Sequence, residues 1–190
     1  MEFEVKPLTT ASWDAFADLA GRHNGVWGGC WCMAFHARGP NWGVSAEGNR
    51  ADKQALVAEG RAHAALVFEG GACVGWCQYG PVAELPRIKL RKAYEAGLEA
   101  LPDWRITCFF VDKAARGRGV ARAALAGALG LIGEAGGGMV EGYPEAVSGR
   151  KVSGAFLWGA TAEMFEGLGF ARDRPLGKNG WVMRRRVTAG

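Results

Sequence analysis

The chain has 190 residues, a formal net charge of +4, 49% hydrophobic and 22% charged residues. That length buries a full core within one domain, and the composition excludes global disorder. The charge is too small and too dispersed for a nucleic-acid footprint, and no run approaches the roughly 20 apolar residues of a membrane helix.

The opening "MEFEVKPLTT" is acidic and lacks the apolar segment of a secretory signal, so a cytoplasmic location is expected. Five dispersed cysteines, an odd number, fit reduced thiols in that compartment. The first helix is predicted from a Thr10 cap, apolar Trp13, Phe16, Ala17 and Ala20, and a stop at Gly21. "RHNGVWGGCWCMAFHARGPNWG" follows without any period, and an irregular segment of that length inside a domain points to function. Asn49 is read as the cap of a second helix running to about Gly60.

"AHAALVFEGGACVGWCQYGPV" predicts a β-hairpin turning at Glu69, Gly70 and Gly71, and "LPRIKLRKAYEAGLEALPD" a short basic helix or ordered loop. "WRITCFFV" is a strand apolar enough to be covered on both faces. Val120, Ala121, Ala124, Leu125, Ala128, Leu129 and Ile132 then form a helical stripe that ends at Gly136 to Gly138. "GMVEGYP" is a strand stopped by Pro144, "AFLWGATAEMFEGLGF" a helix, and "GWVMRRRV" a last strand. This order defines an α+β domain built on one sheet.

Between the apolar strand and the apolar helix lies "VDKAARGRGVARAAL". A strand running through a glycine turn into a helix presents backbone N–H groups at the positive end of the helix dipole, an arrangement that binds phosphate. Gly117 and Gly119 permit close approach, and Arg116, Arg118 and Arg122 add charge; a tight turn with solvated arginines is the alternative. The Lys-Ser/Thr of a P-loop is absent, and Arg122 breaks the third glycine of a dinucleotide fingerprint.

"VDKAARGRGVA" resembles the acyl-CoA-binding motif of the GNAT superfamily of N-acetyltransferases, Arg/Gln-x-x-Gly-x-Gly/Ala, at Arg116, Gly119 and Ala121. "MFEGLGF" at 164 to 170 looks like the Tyr-x-x-x-Gly-Phe ending of the family's later helix, while "GGCWCM" and "VGWCQYGP" look like a bacterial subgroup. The resemblance implies a GNAT-like three-layer α+β fold: one mixed, mostly antiparallel sheet flanked by helices and splayed between its two central strands. It implies a single domain over 1–190, with 1–103 as the acceptor side and 104–190 as the acyl-CoA-binding half.

It further implies acetyl-CoA as co-substrate. The pyrophosphate would sit on Arg116, Gly117, Arg118, Gly119, Val120 and Ala121 with Arg122 beside them, and the pantetheine arm would pair with Phe109, Phe110 and Val111. The Phe109 N–H would stabilise the oxyanion.

Two positions depart from the family pattern: the tyrosine that donates a proton to the leaving thiolate is Phe165, and the expected asparagine is Trp158. Tyr143, placed at the splay, is the replacement acid or a buried tyrosine bonded to backbone. Glu141, on the same strand face, is a base or the partner of one of the arginines. Cys30, Cys32 and His36 lack a fourth ligand, so no metal is expected, and nothing marks an activated thiolate. Trp31 and His36 are placed at the border of an acceptor pocket, and Trp27, Trp31, Trp42 and Trp76 are core or an aromatic lining. Arg184, Arg185 and Arg186 are read as a solvated face.

The expected function is direct transfer of an acetyl group to a primary amine of a small molecule or peptide. The rival is a non-catalytic acyl-CoA-binding or sensing module. Neither nucleic acid nor membrane is an expected partner, and a homodimer is left open.

Overall fold

The computed structural model describes residues 3–37, 45–147, 149 and 158–190. The strands are β1 (Glu4–Pro7), β2 (His63–Glu69), β3 (Ala72–Pro81), β4 (Trp104–Val111), β5 (Gly138–Gly142), β6 (Ala171–Leu176) and β7 (Gly180–Val187). They form a seven-stranded sheet in the order β1-β2-β3-β4-β5-β7-β6. Only β4 and β5 pair in parallel; every other neighbouring pair is antiparallel. The expected mixed, mostly antiparallel sheet is therefore present.

The helices are α1 (Trp13–Arg22), α2 (Ala46–Ala58), α3 (Arg91–Ala96), α4 (Val120–Glu134) and α5 (Ala162–Glu166). Strand alternation divides the core. Leu66, Phe68, Trp76, Cys108 and Phe110 face Trp13, Phe16 and Leu19 of α1. Ala65, Val67, Cys77 and Phe109 face Val120, Ala124, Leu125, Ala128 and Ile132 of α4, with Phe165 of α5. β4 is apolar almost throughout because both of its faces are covered by helices.

Four local readings change. Ser12, not Thr10, is the N-cap of α1, and no side chain caps that helix. Ser45, not Asn49, caps α2, accepting from the Gly48 N–H at 2.9 Å; the Asn49 amide is buried and donates to the Gly29 carbonyl at 2.9 Å. The helix predicted over 155–170 is only α5, capped by Thr161, and residues 155–157 lie outside the described residues. Two strands, β1 and β6, were absent from the sequence reading.

The parallel seam positions the site. β4 and β5 register only over Trp104↔Val140, Arg105↔Glu141 and Ile106↔Gly142. Beyond Ile106 the two strands part, which is the expected splay, and the segment 158–161 enters the gap. Phe109 N–H donates to the Trp158 carbonyl at 2.7 Å, and Glu145 N–H donates to the Ala160 carbonyl at 3.2 Å.

Candidate active site

The glycine turn lies between β4 and α4. Asp112 opens it by accepting from the Ala114 N–H at 3.0 Å, a bond that, with Arg22 and His23 alongside, holds its carboxyl below the usual range. Gly117 and Gly119 have φ of 75° and 90°, a region that favours glycine, and the space where a Cβ would project is open at both. Gly119 is the N-cap of α4; no side chain caps the helix, and its first turn carries no acid. The leading N–H groups of a 15-residue helix thus point at a cleft with no side chain to satisfy them.

That cleft has a volume of about 370 Å³ and gathers nine of the ten cofactor-binding candidates: Phe109, Phe110, Val111, Arg116, Gly117, Gly119, Val120, Ala121 and Arg122. Arg118 is the exception. Its guanidinium grips both oxygens of Glu69 at 3.0 and 2.8 Å and braces the β2–β3 turn instead of lining the cleft. Trp27, Ala115, Ala160, Thr161 and Met164 complete the walls and were not singled out for this cleft from sequence. Of these, the half-exposed Trp27 in a glycine-rich loop was the detectable signal.

A second cavity, of about 510 Å³, lies across the segment 158–161 from the first. Phe35, Tyr143, Glu145, Trp158 and Leu176 line it, with Ile88, Lys89 and Leu90 from the approach to α3 and Lys178, Asn179 and Gly180 from the β6–β7 turn. Both cavities draw on residues from both sides of residue 103.

Trp31 and His36 are not at this border. Trp31 is buried and stacks on Trp13 with ring centroids 6.4 Å apart, and Trp76 is core as well. Trp42 lies outside the described residues. His36 is buried beneath α2, where a fully buried Lys53 Nζ donates to its Nε2 at 3.0 Å and its Nδ1–H donates to the Glu84 carbonyl at 3.1 Å. The cavity instead uses Phe35 and Trp158, whose rings lie 5.3 Å apart, and Lys89 sits 4.0 Å over the Trp158 ring.

The cysteine cluster holds protonated thiols. Cys32 Sγ lies 2.9 Å from Cys108 Sγ. A hydrogen bond with Cys32 followed by burial pushes the Cys30 thiol up, while burial followed by the Cys108 contact pushes up Cys32. Neither is an activated nucleophile. Among the described residues no group of three or more His, Cys, Asp or Glu is arranged to hold a metal ion.

Burial and the neighbouring Lys53 lower the His36 pKa to about 2, and burial also lowers that of Lys53. The unfolded chain therefore binds a proton on His36 below about pH 6.5 that the folded protein refuses until about pH 2. The stability this neutral imidazole contributes is complete above 6.5 and falls as pH drops through that window, by at most about 1.4 kcal/mol per pH unit. Lys53 acts with the same sign below its usual pKa of 10.5. Urea midpoints measured from pH 4 to 8 should show this acid-side loss, and Lys53→Met with His36→Phe should flatten it.

The catalytic candidates also move. Glu141 is fully buried: Tyr94 and Tyr143 hydroxyls donate to its Oε2 at 2.8 and 3.0 Å, and Arg184 Nε stands 3.1 Å from its Oε1. A carboxylate so enclosed cannot meet an amine directly. Arg184 is accordingly not part of a solvated face; its NH2 also donates to the Ala100 carbonyl at 2.9 Å. Tyr143 does line the second cavity, but its hydroxyl is turned to Glu141, and burial pushes the phenol well above its ordinary pKa. The Phe109 N–H is not a free donor, since Trp158 occupies it. Phe165 is fully buried, its ring edge-on to Phe109 and Phe170, and a Cβ on Gly142 would collide with it.

The acetyltransferase (GNAT) family model matches residues 30–141. The chain belongs to the GNAT acetyltransferase family, and so it is an acyltransferase. No curated protein sequence matches it. A putative GNAT acetyltransferase from Desulfovibrio desulfuricans superposes with a TM-score of 0.56 at 13% identity, covering 98% of this chain and 100% of that one. A structure described as histone acetyltransferase HPA2 and related acetyltransferase from Corynebacterium glutamicum gives 0.54 at 16% identity, covering 97% and 96%. Mosquito arylalkylamine N-acetyltransferase like 5b gives 0.56 at 12%, covering 97% and 100%. At those identities the likeness establishes a common fold. Among the described residues no helix is long and apolar enough to cross a membrane.

Proposed function

We propose that the protein transfers an acetyl group from acetyl-CoA directly to a primary amine of a small molecule or peptide within a ternary complex. One observation carries this reading: a cleft built for an anion and an apolar cavity meet across the segment 158–161, beside the β4 edge. The residues fit the donor. Open space over Gly117 and Gly119, the uncapped start of α4 and the flanking Arg116 and Arg122 suit a pyrophosphate, and Phe109 to Val111 offer a strand edge to an extended arm.

Bound acetyl-CoA supplies the activated thioester. The Phe109 N–H serves as oxyanion donor once the Trp158 carbonyl gives way to the substrate. The amine nitrogen bonds to the acetyl carbon, the carbon–sulfur bond breaks, and coenzyme A leaves as its thiolate, which takes its proton from water. The amine's proton passes to the Tyr143 oxygen while the Tyr143 proton passes to Glu141, so the tyrosine relays a proton to a carboxylate that never meets the substrate. This relay requires no free tyrosinate, which suits a phenol whose pKa is raised by burial. Tyr143→Phe should lower kcat by about 10² to 10³, within the usual range for general acid–base groups, with acetyl-CoA affinity unchanged in calorimetry. An unaltered kcat assigns the proton to water.

The occupied Phe109 N–H and the hydroxyl-free Phe165 favour a second reading, a sensor that binds acyl-CoA without turnover. Calorimetric titration with acetyl-CoA, followed by release of free thiol over a panel of amines, separates the two. Binding with release supports the transferase; binding without release from any amine supports the sensor.

A further inference from the structure

We propose that the chain acetylates its own Lys89, a modification made in cis at the mouth of the second cavity. This inference rests on the acetyl-transfer reading and names an amine of the protein itself as an acceptor at the same site. Lys89 lines the 510 Å³ cavity, and its ammonium lies 4.0 Å over the Trp158 ring. The Trp158 carbonyl accepts from the Phe109 N–H, the proposed oxyanion donor, at 2.7 Å. One residue of the segment 158–161 therefore touches both the oxyanion donor and a primary amine of the chain.

The segment around Lys89 keeps it at that place. Arg87 N–H donates to the Phe35 carbonyl at 3.1 Å, and the Phe35 ring stands 5.3 Å from that of Trp158. Leu90 follows with φ of 55°, a left-handed conformation seldom taken by a bulky residue, and is the N-cap of α3. Between these two anchors the Lys89 side chain is exposed, on a flexible four-carbon stem. Its contact with the indole is a cation–π attraction near the surface, a weak restraint. When the thioester takes the Phe109 N–H, the Trp158 carbonyl is displaced, and the residue on which the ammonium rests shifts with it.

The Lys89 ammonium first gives one proton to solvent. The neutral nitrogen then bonds to the acetyl carbon, the carbon–sulfur bond breaks, and coenzyme A leaves as its thiolate, which takes a proton from water. The second amine proton passes to the Tyr143 oxygen while the Tyr143 proton passes to Glu141. The acetylated side chain is neutral and no longer a cation for the Trp158 ring, so the modification also changes the charge of the cavity mouth.

The test incubates the whole protein with acetyl-CoA and no added amine, then follows intact mass, peptide mass mapping and release of free thiol. A gain of a single acetyl group per chain is expected, with matching thiol release. Lys178, which reaches the same cavity from the β6–β7 turn, is the internal comparison, and labelling at Lys89 should exceed it at least about tenfold because the amine is already held at the site. Lys89→Arg keeps a cation for the ring but should abolish the gain, with acetyl-CoA affinity unchanged in calorimetry. Gly119→Glu, which blocks the donor cleft, should abolish it as well. The initial rate per chain should not depend on protein concentration. Labelling spread evenly over lysines, labelling that survives Gly119→Glu, or a rate per chain that rises with protein concentration overturns this inference. Thiol release from added amines with Lys89 unmodified also overturns it and leaves acetyl transfer standing. Acetyl-CoA binding with no thiol release, with or without added amines, overturns the acetyl-transfer reading, and this inference with it.

Discussion

Replacing Gly119 with glutamate should reduce acetyl-CoA affinity by more than about 100-fold, equivalent to roughly 3 kcal/mol. Two effects combine. Gly119 holds φ at 90°, so any side chain there costs of order 1–3 kcal/mol of backbone strain, which reshapes the turn. No atom lies within 4 Å of the site where the new Cβ would sit, so the protein tolerates the added bulk and the carboxylate enters the anion cleft. There it meets the unpaired N–H groups of α4 and takes the place of a phosphate. Calorimetry with acetyl-CoA should give no heat while circular dichroism stays native. Retained affinity in a folded variant would remove the donor site from the turn.

Glu141→Gln is expected to cost about 3–4 kcal/mol of stability, at the lower part of the range for breaking a buried ion pair. The amide keeps an oxygen for the Tyr94 and Tyr143 hydroxyls, so the loss comes from the charge. Arg184 keeps 22% of its side chain exposed and recovers some hydration, which moderates the penalty. Arg105 cannot: it is buried, donating to the Leu85 carbonyl at 2.7 Å and the Tyr94 hydroxyl at 3.2 Å. Urea unfolding of the single variants and of Glu141→Gln with Arg184→Gln gives the coupling directly. A double variant as unstable as the sum of the singles would show that the 3.1 Å approach contributes nothing. The activity loss of Glu141→Gln should match that of Tyr143→Phe if the proton passes through both.

The central elements were legible because their periodicity and punctuation agree. β4 occupies the residues of its predicted strand, Trp104 to Val111, and the stripe from Val120 to Ile132 faces the sheet as α4. The edge strands were not legible. β1 and β6 lie at the two ends of the sheet, where exposed charge and proline replace alternation: Glu4, Lys6 and Pro7 in one, Arg172, Asp173 and Pro175 in the other. The cleft at the glycine turn was legible as a cluster because one contiguous stretch builds most of it.

The second cavity had no such stretch. Phe35, Lys89, Tyr143, Trp158 and Lys178 come from five separate places in the chain, and nothing in their local sequence states that they meet. Side-chain direction was equally hidden: Arg118 stands in the motif yet turns to Glu69, and Trp31 stands beside Cys30 and Cys32 yet stacks into the core.

Strand β7 is last in the sequence order of the strands but interior in the sheet, between β5 and β6. During synthesis, β5 therefore carries an open edge on that side, and β6 has no neighbour, until residues 180–187 have left the ribosome. Glu141 gains its Arg184 counter-charge only with that strand. Completion of the sheet and neutralisation of its buried carboxylate therefore depend on one and the same strand.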